Sequence, residues 1–124
     1  MELEEFELIS FFESIPQYKK ELYDIPFYYK ESHFSFDNKK DYIEFTITPS
    51  IGEVKINAVE KLTKRNFCHL NLTGIELLKI LNDNKEHKKF ELIDTNEDKE
   101  IKTTYVITIL PSFSLSILQE VVRN

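Results

Sequence analysis

Cysteine occurs once, as Cys68, so no intrachain disulfide can form and the fold must rest on its core. That economy suits a reducing compartment. Glycine occurs only at Gly52 and Gly74, too far apart to build a phosphate-cradling loop. Alanine occurs only at Ala58, tryptophan is absent, and arginine is outnumbered heavily by lysine. No apolar run exceeds a few residues, which excludes a bilayer-spanning helix. The first fourteen residues carry Glu2, Glu4, Glu5, Glu7 and Glu13 and no basic residue, the opposite of a signal or transit peptide. The expected location is the cytoplasm.

Reactive groups are equally scarce. His33, His69 and His87 have no partners at metal-ligand spacing, so no metal or cofactor is expected. Cys68 adjoins His69, but neighbours on a strand point to opposite faces, so adjacency cannot make a nucleophile–base pair. Cys68 reads as a core thiol. With no catalytic constellation, the chain is not expected to be an enzyme.

What is present is a core. The chain has 124 residues, one domain by length, and Leu, Ile, Val and Phe make up about a third of it. Sixteen basic against 22 acidic residues give a net charge of −6, which argues against a general nucleic-acid binder. Ten Phe, six Tyr and abundant Ile shift the balance toward β-structure.

Hydropathy along the chain divides it into elements. Leu3, Phe6, Ile9 and Phe12 recur at three-residue steps, widened by Leu8 and Phe11, which predicts a helix over 2–14. Residues 22–36 read as extended, with an apolar parity change near Glu31 that implies a bulge or two short strands. Asp37 to Lys40 form a polar turn. The clearest signal covers 42–60: Ile43, Phe45 and Ile47 alternate with Glu44, Thr46 and Thr48, and Val54, Ile56 and Ala58 alternate with Lys55 and Asn57. With Pro49 and Gly52 between them, this is an antiparallel hairpin with one buried and one wet face. Residues 61–66 are the one strongly basic stretch and read as a solvated turn.

Residues 67–81 admit two readings. Alternation over 67–72 favours a strand. Thr73-Gly74-Ile75-Glu76 then matches a capping box ahead of Ile75, Leu78 and Leu81 on one helical face, while a second strand after a turn at Gly74 fits as well. Residues 88–93 and 101–110 pair as a second hairpin. Leu115, Leu118, Val121 and Val122 predict a C-terminal helix. The expected architecture is α+β, mainly β: a twisted antiparallel sheet or small sandwich with an N-terminal and a C-terminal helix, in a single domain spanning 1–124.

Several segments together resemble a known family. Ile15-Pro16-Gln17-Tyr18-Lys19-Lys20-Glu21-Leu22 matches a proline, aromatic, acidic, aliphatic element, with Lys19 and Lys20 where an acidic residue is usual. A strand like Tyr42 to Thr48 follows, then a stretch like Leu70-Asn71-Leu72-Thr73-Gly74-Ile75 and a short strand like Phe90-Glu91-Leu92-Ile93. Over roughly residues 15–94 the sequence resembles the immunity protein 50 family of bacterial polymorphic-toxin systems. The resemblance implies a small cytoplasmic protein that binds and neutralises a cognate toxin, with no catalytic residues. An acidic inhibitor would match the potential of a basic toxin domain.

The expected partner is therefore a protein, a basic toxin domain, and neither nucleic acid nor a membrane. Candidate contacts are Tyr42 and Glu44 on the wet hairpin face and Glu97 and Asp98 in the acidic turn after residue 93. The aromatic group Tyr18, Tyr23, Phe27, Tyr28, Tyr29 and Tyr42 divides between packing and interface roles. Two rival classes use the same features: an adaptor or phage-type interaction module that binds a host protein, and a small enzyme or ligand carrier.

Overall fold

The computed structural model describes residues 1–95 and 100–122. Helix α1 (Glu5–Phe12) precedes eight strands: β1 (Ser32–Asp37), β2 (Asp41–Thr48), β3 (Glu53–Glu60), β4 (Asn66–Leu72), β5 (Leu77–Asp83), β6 (Lys88–Thr95), β7 (Ile101–Leu110) and β8 (Ser114–Val121). They form two antiparallel meanders, ordered β1-β2-β3-β4 and β5-β6-β7-β8.

The 42–60 hairpin is as its alternation predicts. Phe45 stands opposite Ile56 and Ile43 opposite Ala58, all buried. The second sheet turns Leu78, Phe90, Leu92, Ile107 and Ile109 toward the same core. Five phenylalanines from four elements meet there. Phe12 lies 4.9 Å from Phe45 and 5.5 Å from Phe34, and Phe90 lies 5.5 Å from both Phe11 and Phe45 (ring centroids). Both Phe90 contacts are edge-to-face, an arrangement aromatic quadrupoles favour. The two sheets thus form a sandwich, with α1 packed along β1.

Polar groups tie one end of the sandwich. The Asn38 carboxamide oxygen accepts from the Asp41 amide at 2.7 Å, while its NH2 donates to the buried Ile109 carbonyl at 2.9 Å. The Asp41 carboxylate accepts from the Phe113 amide at 3.1 Å. The first hairpin is thereby clipped to the β7–β8 connection. At the other end the chain crosses between sheets over residues 73–76. The Ile75 amide donates to the Gly52 carbonyl at 3.0 Å. Gly52 has φ +62°, and a Cβ there would stand 2.4 Å from the Ile75 carbonyl oxygen. Gly52→Ala is therefore expected to cost about 2 kcal/mol or more, combining left-handed strain with a backbone clash. A urea midpoint shift of less than half that size would contradict this close packing.

Three expectations need correction. The C-terminal segment is a strand, not a helix. The three-residue apolar spacing is real, but β8 pairs with β7 from Thr108↔Ser114 to Ile101↔Val121. That ladder satisfies an otherwise open edge, whereas a helix this short gains little without packing. Of the two readings of residues 67–81, the strand after a turn at Gly74 holds: residues 77–83 form β5, because the 73–76 segment, with Gly74 at φ +75°, is spent on the crossover. Second, the 22–36 region is strand only from Ser32 onward, where β1 begins. Phe27–Tyr29 tightens into a 3-10 turn after Pro26, and Lys20–Leu22 forms another. Third, Phe6 is 67 % exposed. Adjacent Phe11 and Phe12 both enter the core and, with Leu8, centre the buried arc on the side of α1 opposite Phe6.

Candidate functional site

The outer face of the first sheet collects the wet residues of four strands. Register sets them in rows. Ser35, Glu44, Asn57 and His69 lie side by side, as do His33, Thr46, Lys55 and Asn71. Tyr42 lies between Asp37 and Val59. Glu44 and Thr46 occupy the ridge between two shallow depressions. One, of about 310 Å³, lies toward Gln17, His33 and Tyr42. The other, of about 330 Å³, lies toward Lys55, Asn57 and His69.

Most charges on this face are already matched. Lys61 binds Asp37 at 2.6 Å, Lys55 binds Glu53 at 3.3 Å, and His33 approaches Glu31 at 3.0 Å. The Lys61 ammonium and the Lys39 amide hold the Asp37 carboxyl below its usual range. His33 also bonds Thr46 Oγ1 at 2.9 Å, and Asn66 donates to Asn57 at 2.7 Å. Glu44 forms no ion pair among the described residues. Its cross-strand neighbours, Ser35 and Asn57, are neutral. An exposed carboxylate at the centre of a charge-paired face, beside a Tyr42 ring that is 39 % exposed, offers a partner one acceptor and one aromatic body.

Structure thus brings two of the sequence candidates, Tyr42 and Glu44, onto one face. Glu97 and Asp98 lie outside the described residues. The aromatic group divides. Phe27 packs against the core, and Tyr18 is half-buried with its hydroxyl donating to Glu5 and the Lys30 ammonium 3.6 Å from its ring centroid. Tyr23, Tyr28 and Tyr29 are exposed, Tyr28 and Tyr29 in edge contact at 4.9 Å, and Phe27–Tyr29 packs on the Pro49–Ile51 turn. That turn also exposes Ile51, a second cluster that alternation alone did not reveal because its residues lie outside strands. Burial raises the Cys68 thiol pKa, which keeps the group protonated and slow to react. Among the described residues no group of three His, Cys, Asp or Glu is placed to hold a metal ion, and no helix is long and apolar enough to cross a membrane.

Tyr18 offers a pH test of how the N-terminal segment is anchored. Burial, then the hydrogen bond and charge of Glu5, push its pKa up to about 12, while Ser32 opposes the shift. Folding therefore favours the protonated phenol. That contribution is complete below the unfolded-state value near 10 and is lost as pH rises toward 12. Between those limits the wild type should lose stability faster than Tyr18→Phe. Parallel pH–melting curves for the two proteins would contradict the assignment.

No family model matches the chain, and no curated protein matches it. Its fold, however, matches a solved one. A chain of the contact-dependent growth inhibition toxin–immunity protein complex from Klebsiella pneumoniae 342 superposes with a TM-score of 0.70 at 19 % identity, over 95 % of both chains. The two share the fold.

Proposed function

We propose that the chain is an immunity-type inhibitor, acting in the bacterial cytoplasm by binding a cognate toxin domain. The observation that carries this reading is the fold shared, over nearly the whole of both chains, with a chain of a toxin–immunity protein complex. The resemblance to the immunity protein 50 family and the net charge of −6 favour the inhibitor side of such a pair and a basic toxin as its partner. The outer face of the first sheet supplies the contact, with Glu44 meeting a cation and Tyr42 packing against its stem. Glu97 and Asp98 add to the steering field.

Co-expression with a toxin domain, taken from a neighbouring gene where one is found, tests the reading. The wild type should protect cells and form a complex with the purified toxin. Glu44→Lys should weaken that complex about tenfold or more, while Glu44→Ala, on the wet face, should change folding stability by less than about 0.5 kcal/mol. Rising salt should slow association. Cells that die despite the protein, or the absence of a complex at micromolar concentration, would defeat the reading. A stable complex with a host protein in its place would make the chain an adaptor.

A further inference from the structure

We propose that the chain pairs with a second copy of itself, side by side and antiparallel, so that helix α1 of each copy rests on the basic hairpin tip of the other. The pairing is independent of toxin binding and leaves the outer face of the first sheet open.

The tip exists only in the folded chain. The β1–β2 and β3–β4 turns lie at the same end of the meander, and the Lys61 amide donates to the Lys40 carbonyl at 2.9 Å. This joins Lys39 and Lys40 to Lys61, Lys64 and Arg65. Lys61 is engaged by Asp37, but the other four form no ion pair among the described residues. Leu62 stands among them, 92 % exposed. A depression of about 510 Å³ opens between Lys39, Lys40, Asp41, Glu60, Leu62 and Ser112. Lys39 and Lys64 are held at φ +79° and +60°, where glycine or asparagine would cost less, so the tip keeps cations at two strained positions.

The surface that complements it is the start of α1 with the residues just before it. Glu2, Glu4 and Glu7 form no ion pair among the described residues, and Phe6 is 67 % exposed among them. At the tip Lys39, Lys40, Lys64 and Arg65 outnumber Asp41 and Glu60, so each surface sets one exposed apolar side chain among charges mostly of one sign, and the predominant signs are opposite. Their placement lets both contacts form at once. Glu5 binds Tyr18, whose chain leads through Lys30 to the start of β1, whereas the tip lies beyond the end of β1. Strands of this length separate the two surfaces by about 20 Å. One twofold axis then brings each helix to the other copy's tip and closes the assembly as a dimer. A nucleic acid fits the tip less well. The rest of the chain is strongly acidic, and a phosphate backbone offers Leu62 no apolar partner.

Sedimentation equilibrium on the full chain at about 100 μM and low ionic strength should show a dimer that weakens roughly tenfold or more at high salt. A variant with Lys40→Glu, Lys64→Glu and Arg65→Glu should be monomeric, as should one with Glu2→Lys, Glu4→Lys and Glu7→Lys. Mixing the two variants should restore a dimer, because each reversed surface then meets its opposite; that rescue also shows that both variants are folded. Leu62→Ser should weaken pairing without any change of charge. A wild type that is monomeric at low salt, a dimer indifferent to both variants, or variants that fail to pair when mixed would overturn the proposal. So would a monomer whose tip instead binds single-stranded DNA.

Discussion

Phe45→Ala is expected to lower the unfolding free energy by about 3–5 kcal/mol, a large share of what a domain of this size possesses. Phe45 is 1 % exposed and touches three other rings: Phe12 at 4.9 Å, Phe90 at 5.5 Å and Phe34 at 6.5 Å. Those rings belong to α1, the second sheet and the neighbouring strand. One truncation therefore loosens three packing interfaces at once. The cavity left behind is walled by rigid aromatic groups on opposing layers, which cannot close on it without moving whole elements, so the cost should lie toward the upper end. Urea melts at neutral pH give the measurement. Phe45→Leu should recover much of the loss by refilling part of the volume. A destabilisation below about 1 kcal/mol for Phe45→Ala would mean that the face turned inward by the central hairpin is not the one described.

The inward face was legible because alternation of period two leaves little choice when one side is wet. Ile43, Phe45 and Ile47 must lie together, and Glu44 and Tyr42 must lie opposite them. The same logic located β6 and β7. It failed where burial does not alternate. Strand β8 lies at a sheet edge with Ile117, Leu118 and Val121 exposed on both of its faces, so its apolar residues carry no strand period and happen to match a helical one. Residues 27–29 failed for another reason. Aromatic side chains suit strands, but Pro26 sets a turn that backbone hydrogen bonds from Tyr29 to Pro26 and from Lys30 to Phe27 complete. The candidate face was half legible. Parity placed Tyr42 and Glu44 on the wet side, but only the register shows that the neighbouring carboxylates have cations and that Glu44 has none. The exposed tyrosines near Ile51 and the basic tip were hidden because each joins segments distant in sequence.

Lys88 was equally hidden and should be the second most sensitive position. In sequence it is one of many lysines at the start of a hairpin. In the fold its side chain is 5 % exposed, with its ammonium 2.7 Å from the Phe11 carbonyl and 2.6 Å from the Asp83 carboxylate, and Glu13 more distant at 3.8 Å. Phe11 lies in the last turn of α1, where carbonyls have no intrahelical donor and the helix dipole is negative. A buried cation there satisfies the helix end and pins it to the β5–β6 hairpin. Lys88→Ala removes both charge-assisted bonds, opens a cavity beside Phe11 and Phe36, and should cost about 3–4 kcal/mol. Lys88→Met keeps the apolar stem and removes only the charge. Asp83 is about one-third exposed and can rehydrate, so this variant should cost roughly 2 kcal/mol, chiefly from the orphaned Phe11 carbonyl. The difference between the two variants separates packing from charge. If Lys88→Met proved as stable as wild type, the ammonium would not be what anchors the helix, and α1 would be held by Leu8, Phe11 and Phe12 alone.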